Sequence, residues 1–123
     1  MVCSAVDKTT GQKVAIKKIS NAFEDLIDAR RIVREIKLLN FLKHENIISL
    51  VDIIKPDSRT GYKDIYIVKE LMDADLFRVI YSKQELTDDH IQCFMSQILK
   101  AVAYLHACNI IYRDLKPCSI LVN

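Results

Sequence analysis

Glycine and proline are scarce in this chain, with two of each in 123 residues. That scarcity excludes a collagen-like repeat and a Pro/Gly-rich disordered segment. No excess of one charge is present either: 18 Lys and Arg against 16 Asp and Glu leave a net charge of +2, spread without a basic tail or stripe. Nucleic acid is therefore not an expected partner. No apolar run approaches the roughly 18 residues of a membrane span, and the opening MVCSAVDKTTGQ has no apolar core of a leader peptide, so no membrane association is expected. The four cysteines, Cys3, Cys93, Cys108 and Cys118, form no CxxC pair and stand at no metal-ligand spacing with the three histidines. Neither a disulfide framework nor a zinc site is expected, and reduced thiols point to a cytoplasmic or nuclear protein.

What is present is a globular composition, half hydrophobic and 28% charged. A chain of this length has room for one domain and can bury roughly two-thirds of its unfolded surface. No internal repeat or low-complexity segment interrupts it.

Strands are expected first. Val2 to Val6, the turn-rich Asp7 to Gly11 and the alternating Lys13 to Ile19 read as one hairpin. Ile47 to Ile54 and Asp64 to Glu70, separated by the turn cluster from Lys55 to Gly61, read as a second. Between them, Leu26, Ala29, Val33, Ile36 and Leu39 recur at three and four residues, which predicts a helix over Glu24 to Leu42. After Met72 the pattern turns helical: Leu76 to Ile80 is a short candidate. Thr87 as N-cap with Asp88 and Asp89 then opens a long helix whose stripe is Ile91, Phe94, Met95, Ile98, Val102 and Leu105. A strand-rich part and a helical part are expected to meet at a hinge near Glu70 to Asp75.

Three short motifs carry chemistry. Val14-Ala15-Ile16-Lys17 lies on a predicted strand, Glu35 lies on the helix after it, and Tyr112-Arg113-Asp114-Leu115-Lys116 follows the long helix. Alone, Lys17 reads as a solvated strand lysine, Glu35 as one more charge on an exposed face, and Asp114 as a turn aspartate before Lys-Pro. In this order, each in its expected context, they match the V-A-I-K, helix Glu and H-R-D motifs of protein kinases.

The chain resembles a mitogen-activated protein kinase (MAP kinase) along its whole length, in DKTTGQKVAIKKI, REIKLLNFLKHENIISLVDII, IYIVKELMDADLFRVI and LTDDHIQCFMSQILKAVAYLHA. The resemblance implies an α+β, protein-kinase-like fold. Residues 1–70 would be most of the strand-rich lobe with its helix, 71–75 the hinge, and 76–123 the start of the helical lobe, together a partial kinase domain. It implies an ATP-dependent serine/threonine kinase working with Mg²⁺ in intracellular signalling. Protein substrates, an upstream MAP kinase kinase and docking peptides near Leu86, His90 and Cys93 are the implied partners.

By the same resemblance Lys17 would hold the α and β phosphates and be held by Glu35. Asp114 would accept the substrate hydroxyl proton, and Lys116 would neutralise the phosphate in transfer. Val2, Ala15 and Leu121 would enclose the adenine, Glu70 and Met72 would offer it hinge backbone hydrogen bonds, and Asp75 would face the ribose. Lys69 stands at the gatekeeper position, where several family members have Gln; a cation there would crowd or charge the back of the site. Tyr112 replaces the family His, a mild change. Ser119 replaces the Asn that reaches a Mg²⁺, a shorter group with fewer donors, so metal binding is expected to be impaired. The glycine-rich loop and the D-F-G fall outside the 123 residues. The expectation for the chain alone is weak nucleotide binding, little Mg²⁺ dependence and no phosphotransfer. A catalytically silent binding module and a truncated product without a stable fold are the alternatives.

Overall fold

The computed structural model describes residues 1–55, 61 and 63–123, so the turn cluster expected between Lys55 and Gly61 lies largely outside the described residues. Two compact units emerge. The first comprises residues 1–43 and 48–71, the second 44–47 and 72–123.

In the first unit, β1 (Val2–Val6) and β2 (Lys13–Ile19) pair antiparallel from Val2 opposite Lys17 to Val6 opposite Lys13. The turn between them is closed by Asp7, whose carboxylate accepts the Thr9 N–H at 2.8 Å and the Thr10 hydroxyl at 3.0 Å. Gly11 then takes φ +73°, a left-handed backbone that glycine adopts without a side-chain clash. β3 (Leu50–Ile54) and β4 (Ile65–Glu70) complete a four-stranded antiparallel sheet in the order β1-β2-β4-β3. β3 starts at Leu50, later than the expected Ile47, because the Ile47 N–H closes a turn on the His44 carbonyl at 3.0 Å. The internal position of β4 explains its core role: Ile67, paired with Lys17 on one side and Ile53 on the other, has no exposed surface.

The helix α1 (Leu26–Phe41) is capped by Asp25, which accepts the Ile27 and Asp28 N–H groups at 2.7 and 3.0 Å. Its inward stripe is Ala29, Ile32, Ile36 and Leu39, with Ile32 buried. This corrects the expected stripe: Leu26 and Val33 are 66% and 45% exposed. Ile32 and Val33 flank the line through Ala29 and Ile36 on either side, and period alone does not choose between them. Packing takes Ile32, and Leu26 in the open first turn is left out.

In the second unit, β5 (Ala74–Asp75) and β6 (Leu121–Val122) form a two-stranded antiparallel ribbon that the periodicity did not indicate. α2 (Leu76–Ile80) follows β5 directly, and α3 (Asp88–Ala107) begins at a Thr87 cap. Thr87 Oγ1 accepts the His90 N–H at 3.4 Å, and His90 Nδ1 accepts the Thr87 N–H at 3.3 Å. On α3 the inward residues are Phe94, Ile98, Ala101, Val102 and Leu105, while Ile91 and Met95, expected on that stripe, are about half exposed. Residues 44–47 run along the helix: His44 packs its ring on Tyr104 at 4.8 Å, and Asn46 Nδ2 donates to Gln97 at 3.4 Å. All four cysteines are free thiols, and no helix among the described residues is long and apolar enough to cross a membrane.

Candidate active site

Strand pairing places the first group of candidates. Cross-strand partners in an antiparallel sheet share a face, and alternate residues along a strand return to it. The register therefore puts Val2, Ala15, Lys17, Ile67 and Lys69 on one face. Ile32 docks α1, and Glu35, three residues further along the helix, follows on the same side.

The result is one carboxylate between two ammoniums. Lys17 Nζ donates to both Glu35 oxygens at 3.0 Å, and Lys69 Nζ donates to Oε1 at 2.9 Å. The side chains of Lys17, Glu35 and Lys69 are 37%, 32% and 20% exposed. Burial by itself would raise the Glu35 carboxyl, but the Lys69 and Lys17 ammoniums outweigh it and hold the group below the ordinary carboxylate range. Glu35 is therefore ionised at neutral pH. A recess of about 280 Å³ opens beside the pair between β2 and α1, lined in part by Asp28, Arg31 and Ile32.

Around this cluster, Val2 is 65% exposed and Ala15 half-buried. Glu70 ends β4, exposed, with its N–H directed at the Ser49 carbonyl at 3.4 Å.

The second unit holds the other candidates. Asp75 and Leu121 are direct partners across the β5–β6 ribbon, tied by the Leu76 N–H to the Ile120 carbonyl at 2.8 Å. Asp75 is also the N-cap of α2: Oδ1 accepts the Arg78 N–H at 2.8 Å and Oδ2 faces Arg78 Nε at 3.5 Å. Met72, half-buried, precedes the ribbon.

The loop after α3 is built from local bonds. Asn109, with φ +58°, reverses the chain at the helix end, and the Ile110 N–H donates to the Leu105 carbonyl at 2.9 Å. Arg113 has φ +65°, a left-handed backbone that is costly for a long side chain and that aims the next residue outward. Asp114 follows, 69% exposed, with Oδ2 at 2.7 Å from Lys116 Nζ. The Asp114 carboxylate raises the Lys116 ammonium above its ordinary value. Pro117–Ser119 forms one 3-10 turn. The Ser119 hydroxyl lies 2.8 Å from the Lys116 carbonyl and 3.3 Å from that of Asp114, and its oxygen accepts the Lys116 N–H at 3.2 Å.

These residues suit the parts of ATP unequally. Lys17, held by a carboxylate on the sheet face that carries Ala15 and Val2, suits a phosphate beside an apolar ring. For a metal, no group of three His, Cys, Asp or Glu is found among the described residues, and the Ser119 oxygen lies within hydrogen-bond distance of three backbone groups.

Two contacts escaped the sequence reading. Lys69 was expected as an obstruction at the back of the site, not as a partner of Glu35; the same-face parity of Lys17 and Lys69 would have signalled it. The hydroxyl of Ser119 braces the turn after Asp114 from the last position of the Pro117–Ser119 turn, reaching back to the Lys116 carbonyl.

An antiparallel sheet carrying a Lys–Glu pair to a single packed helix, followed in sequence by a long helix and an Arg-Asp-x-Lys loop, defines a protein kinase domain. The protein kinase domain pattern matches residues 1–123, and the chain belongs to that family. Within it the chain is MAP-kinase-like. Over all 123 residues it is 53% identical to mitogen-activated protein kinase 4a of Physcomitrium patens and to mitogen-activated protein kinase 4 of Arabidopsis thaliana. It is 54% identical to extracellular signal-regulated kinase 1 of Dictyostelium discoideum. The chain spans 33% of the length of the first two and 23% of the third.

Proposed function

We propose that the protein of which these residues form part is an ATP-dependent serine/threonine protein kinase of MAP kinase type, acting on intracellular protein substrates. Residues 1–70 form its strand-rich lobe, 71–75 its hinge and 76–123 the start of its helical lobe. The observation that carries this reading is the paired Lys17 and Glu35, a long-range contact formed by residues of the two motifs expected to make it.

In this reading Lys17 binds the α and β phosphates by charge-assisted hydrogen bonds, and Glu35 fixes its direction. Ala15 and Val2 are assigned to the adenine, as is Leu121 by its place in the family motif. The Glu70 and Met72 backbone reads its edge, and Asp75 keeps a carboxylate edge for the ribose while capping α2. Asp114 orients the substrate hydroxyl and takes its proton. Lys116 moves from Asp114 to the phosphoryl group as charge develops there. In this family Mg²⁺ neutralises phosphate charge; Ser119, tied to its own loop, does not supply a ligand. Docking peptides would meet the start of α3 near Leu86, His90 and Cys93. The compartments are cytoplasm and nucleus.

A second reading is favoured by Ser119 itself. A hydroxyl committed to the backbone is what a silent, binding-only relative would carry at that position. One experiment separates the two. Phosphotransfer to a MAP kinase peptide substrate is measured with the 123-residue chain and with the same segment inside a complete kinase domain. The proposal expects none from the chain alone and Asp114-dependent transfer from the complete domain. No transfer from either, with Ser119→Asn restoring it, would establish the silent module.

A further inference from the structure

The link from β2 to α1 is short, and the start of β4 holds it. Only Ser20 to Asp25 separate the strand that carries Lys17 from the helix that carries Glu35. Asn21 turns the chain there with φ +52°, a left-handed backbone that a residue with a Cβ keeps where its surroundings impose it. Asp64 Oδ1 accepts the Asn21 N–H at 3.2 Å, and the Lys63 carbonyl accepts the Ala22 N–H at 2.8 Å. Ala22 is buried at this junction. The turn then closes through the Glu24 N–H to the Asn21 carbonyl at 3.1 Å, one residue before the Asp25 cap.

Asp64 is itself held from the sheet. Its Oδ2 lies 2.7 Å from Lys18 Nζ, and that ammonium stands 5.6 Å from the centre of the Tyr66 ring, its cross-strand partner. The Lys18 ammonium and then the Asn21 N–H hold the Asp64 carboxyl below the ordinary carboxylate range, so it is ionised at neutral pH. Lys18 follows Lys17 directly, so the alternation of β2 turns Lys18, and with it Asp64, away from the face of the Lys17–Glu35 pair. Asp64 reaches that pair through the backbone instead. Asn21 and Ala22 line the same recess as Lys17, Ile32 and Glu35.

We propose that Asp64 is a positioning residue: by accepting the Asn21 N–H it fixes where α1 enters the fold, and so holds Glu35 against Lys17. Its consequence for ATP rests on the nucleotide-site reading. The staple itself is a property of the ligand-free chain.

The test compares Asp64→Ala with Asp64→Asn in the full chain, following the Glu35 carboxyl by ¹³C NMR titration. Both variants remove the same charge, but only Asp64→Ala removes the acceptor of the Asn21 N–H. Loss of a negative charge by itself would lower the Glu35 carboxyl further. Asp64→Ala is expected to raise it toward the ordinary glutamate range, and Asp64→Asn to leave it low. An unchanged Glu35 in Asp64→Ala, or an equal rise in both variants, would overturn the proposal. ATP without Mg²⁺ is the second probe. Its affinity falls roughly tenfold in Asp64→Ala, the scale of one charge-assisted contact, and the same substitution adds no loss in Lys17→Met, because Asp64 acts through Lys17. A further loss in that background would mean a general loosening of the fold and would also overturn the proposal. Failure of the wild type to bind ATP would sink the nucleotide-site reading alone and leave the Glu35 titration to decide the staple. Should Asp64→Ala not fold, amide exchange of the wild type decides: protection at Asn21 and Ala22 supports the staple, and free exchange at both overturns it.

Discussion

In the sheet unit the candidate groups meet across 18 and 34 residues of sequence, Lys17 with Glu35 and Lys69 with Glu35. In the helical unit the groups of the loop touch within five, Ser119 with Asp114 at the widest. Burial differs in the same sense. Val14, Ile32, Ile67 and Val68 form a buried set around the sheet, whereas Leu76 and Leu105 are the buried hydrophobics among the described residues of the helical unit. A site built from long-range contacts cannot be altered without disturbing the fold that makes them; one built from a turn can. The Lys17–Glu35–Lys69 cluster is therefore tied to the fold of the sheet unit, whereas the bonds of the loop can change locally.

The contrast can be broken first at the core. Ile67→Ala, at a fully buried position of β4, is expected to cost about 3 kcal/mol in denaturant unfolding of the chain. A loss below 1 kcal/mol would mean the sheet is not the packed half. Glu35→Ala comes next, at about 1–2 kcal/mol, between the ranges of exposed and buried ion pairs because its partners are partly solvated. Its pH signature has a definite sign. The folded Glu35 carboxyl lies below its unfolded value, so its stabilisation is present above the ordinary glutamate range and is lost as pH falls through the lowered value. Glu35→Gln should flatten the acid side of the stability curve; an unchanged slope would show that the two lysines do not act on it.

In the helical unit, Thr87→Ala removes the cap of α3 and is expected to cost about 1 kcal/mol, read as faster amide exchange at His90. The smallest effect belongs to the loop. Ser119→Ala should speed exchange of the Lys116 amide, whose acceptor is the lost oxygen, and leave the unfolding midpoint where it was. A shift in midpoint as large as that of Glu35→Ala would erase the distinction between the units.

Much of this was legible in the residues. The Asp7-to-Gly11 turn, the alternation from Lys13 to Ile19 and the Thr87 cap each carry local chemistry that fixes an element, and the structure has all three. The kinase-like α+β class and the Lys17–Glu35 pair followed from motif order. The rest depends on packing that a single strand of sequence does not encode. Whether Ile32 or Val33 faces the sheet is decided by the surface it meets. The β5–β6 ribbon joins Asp75 to Leu121 from distant segments too short for a periodic signal. Lys69 was visible as an odd residue at a notable position, but its partner depends on how α1 lies against β4.

The central claim is that the sheet unit carries a preassembled phosphate anchor, and ATP binding to the full chain in the absence of Mg²⁺, compared with Lys17→Met by calorimetric titration, tests it most directly. The account predicts measurable binding that Lys17→Met weakens about tenfold or more, the scale of a charge-assisted contact to phosphate. Equal binding by the two proteins would contradict it.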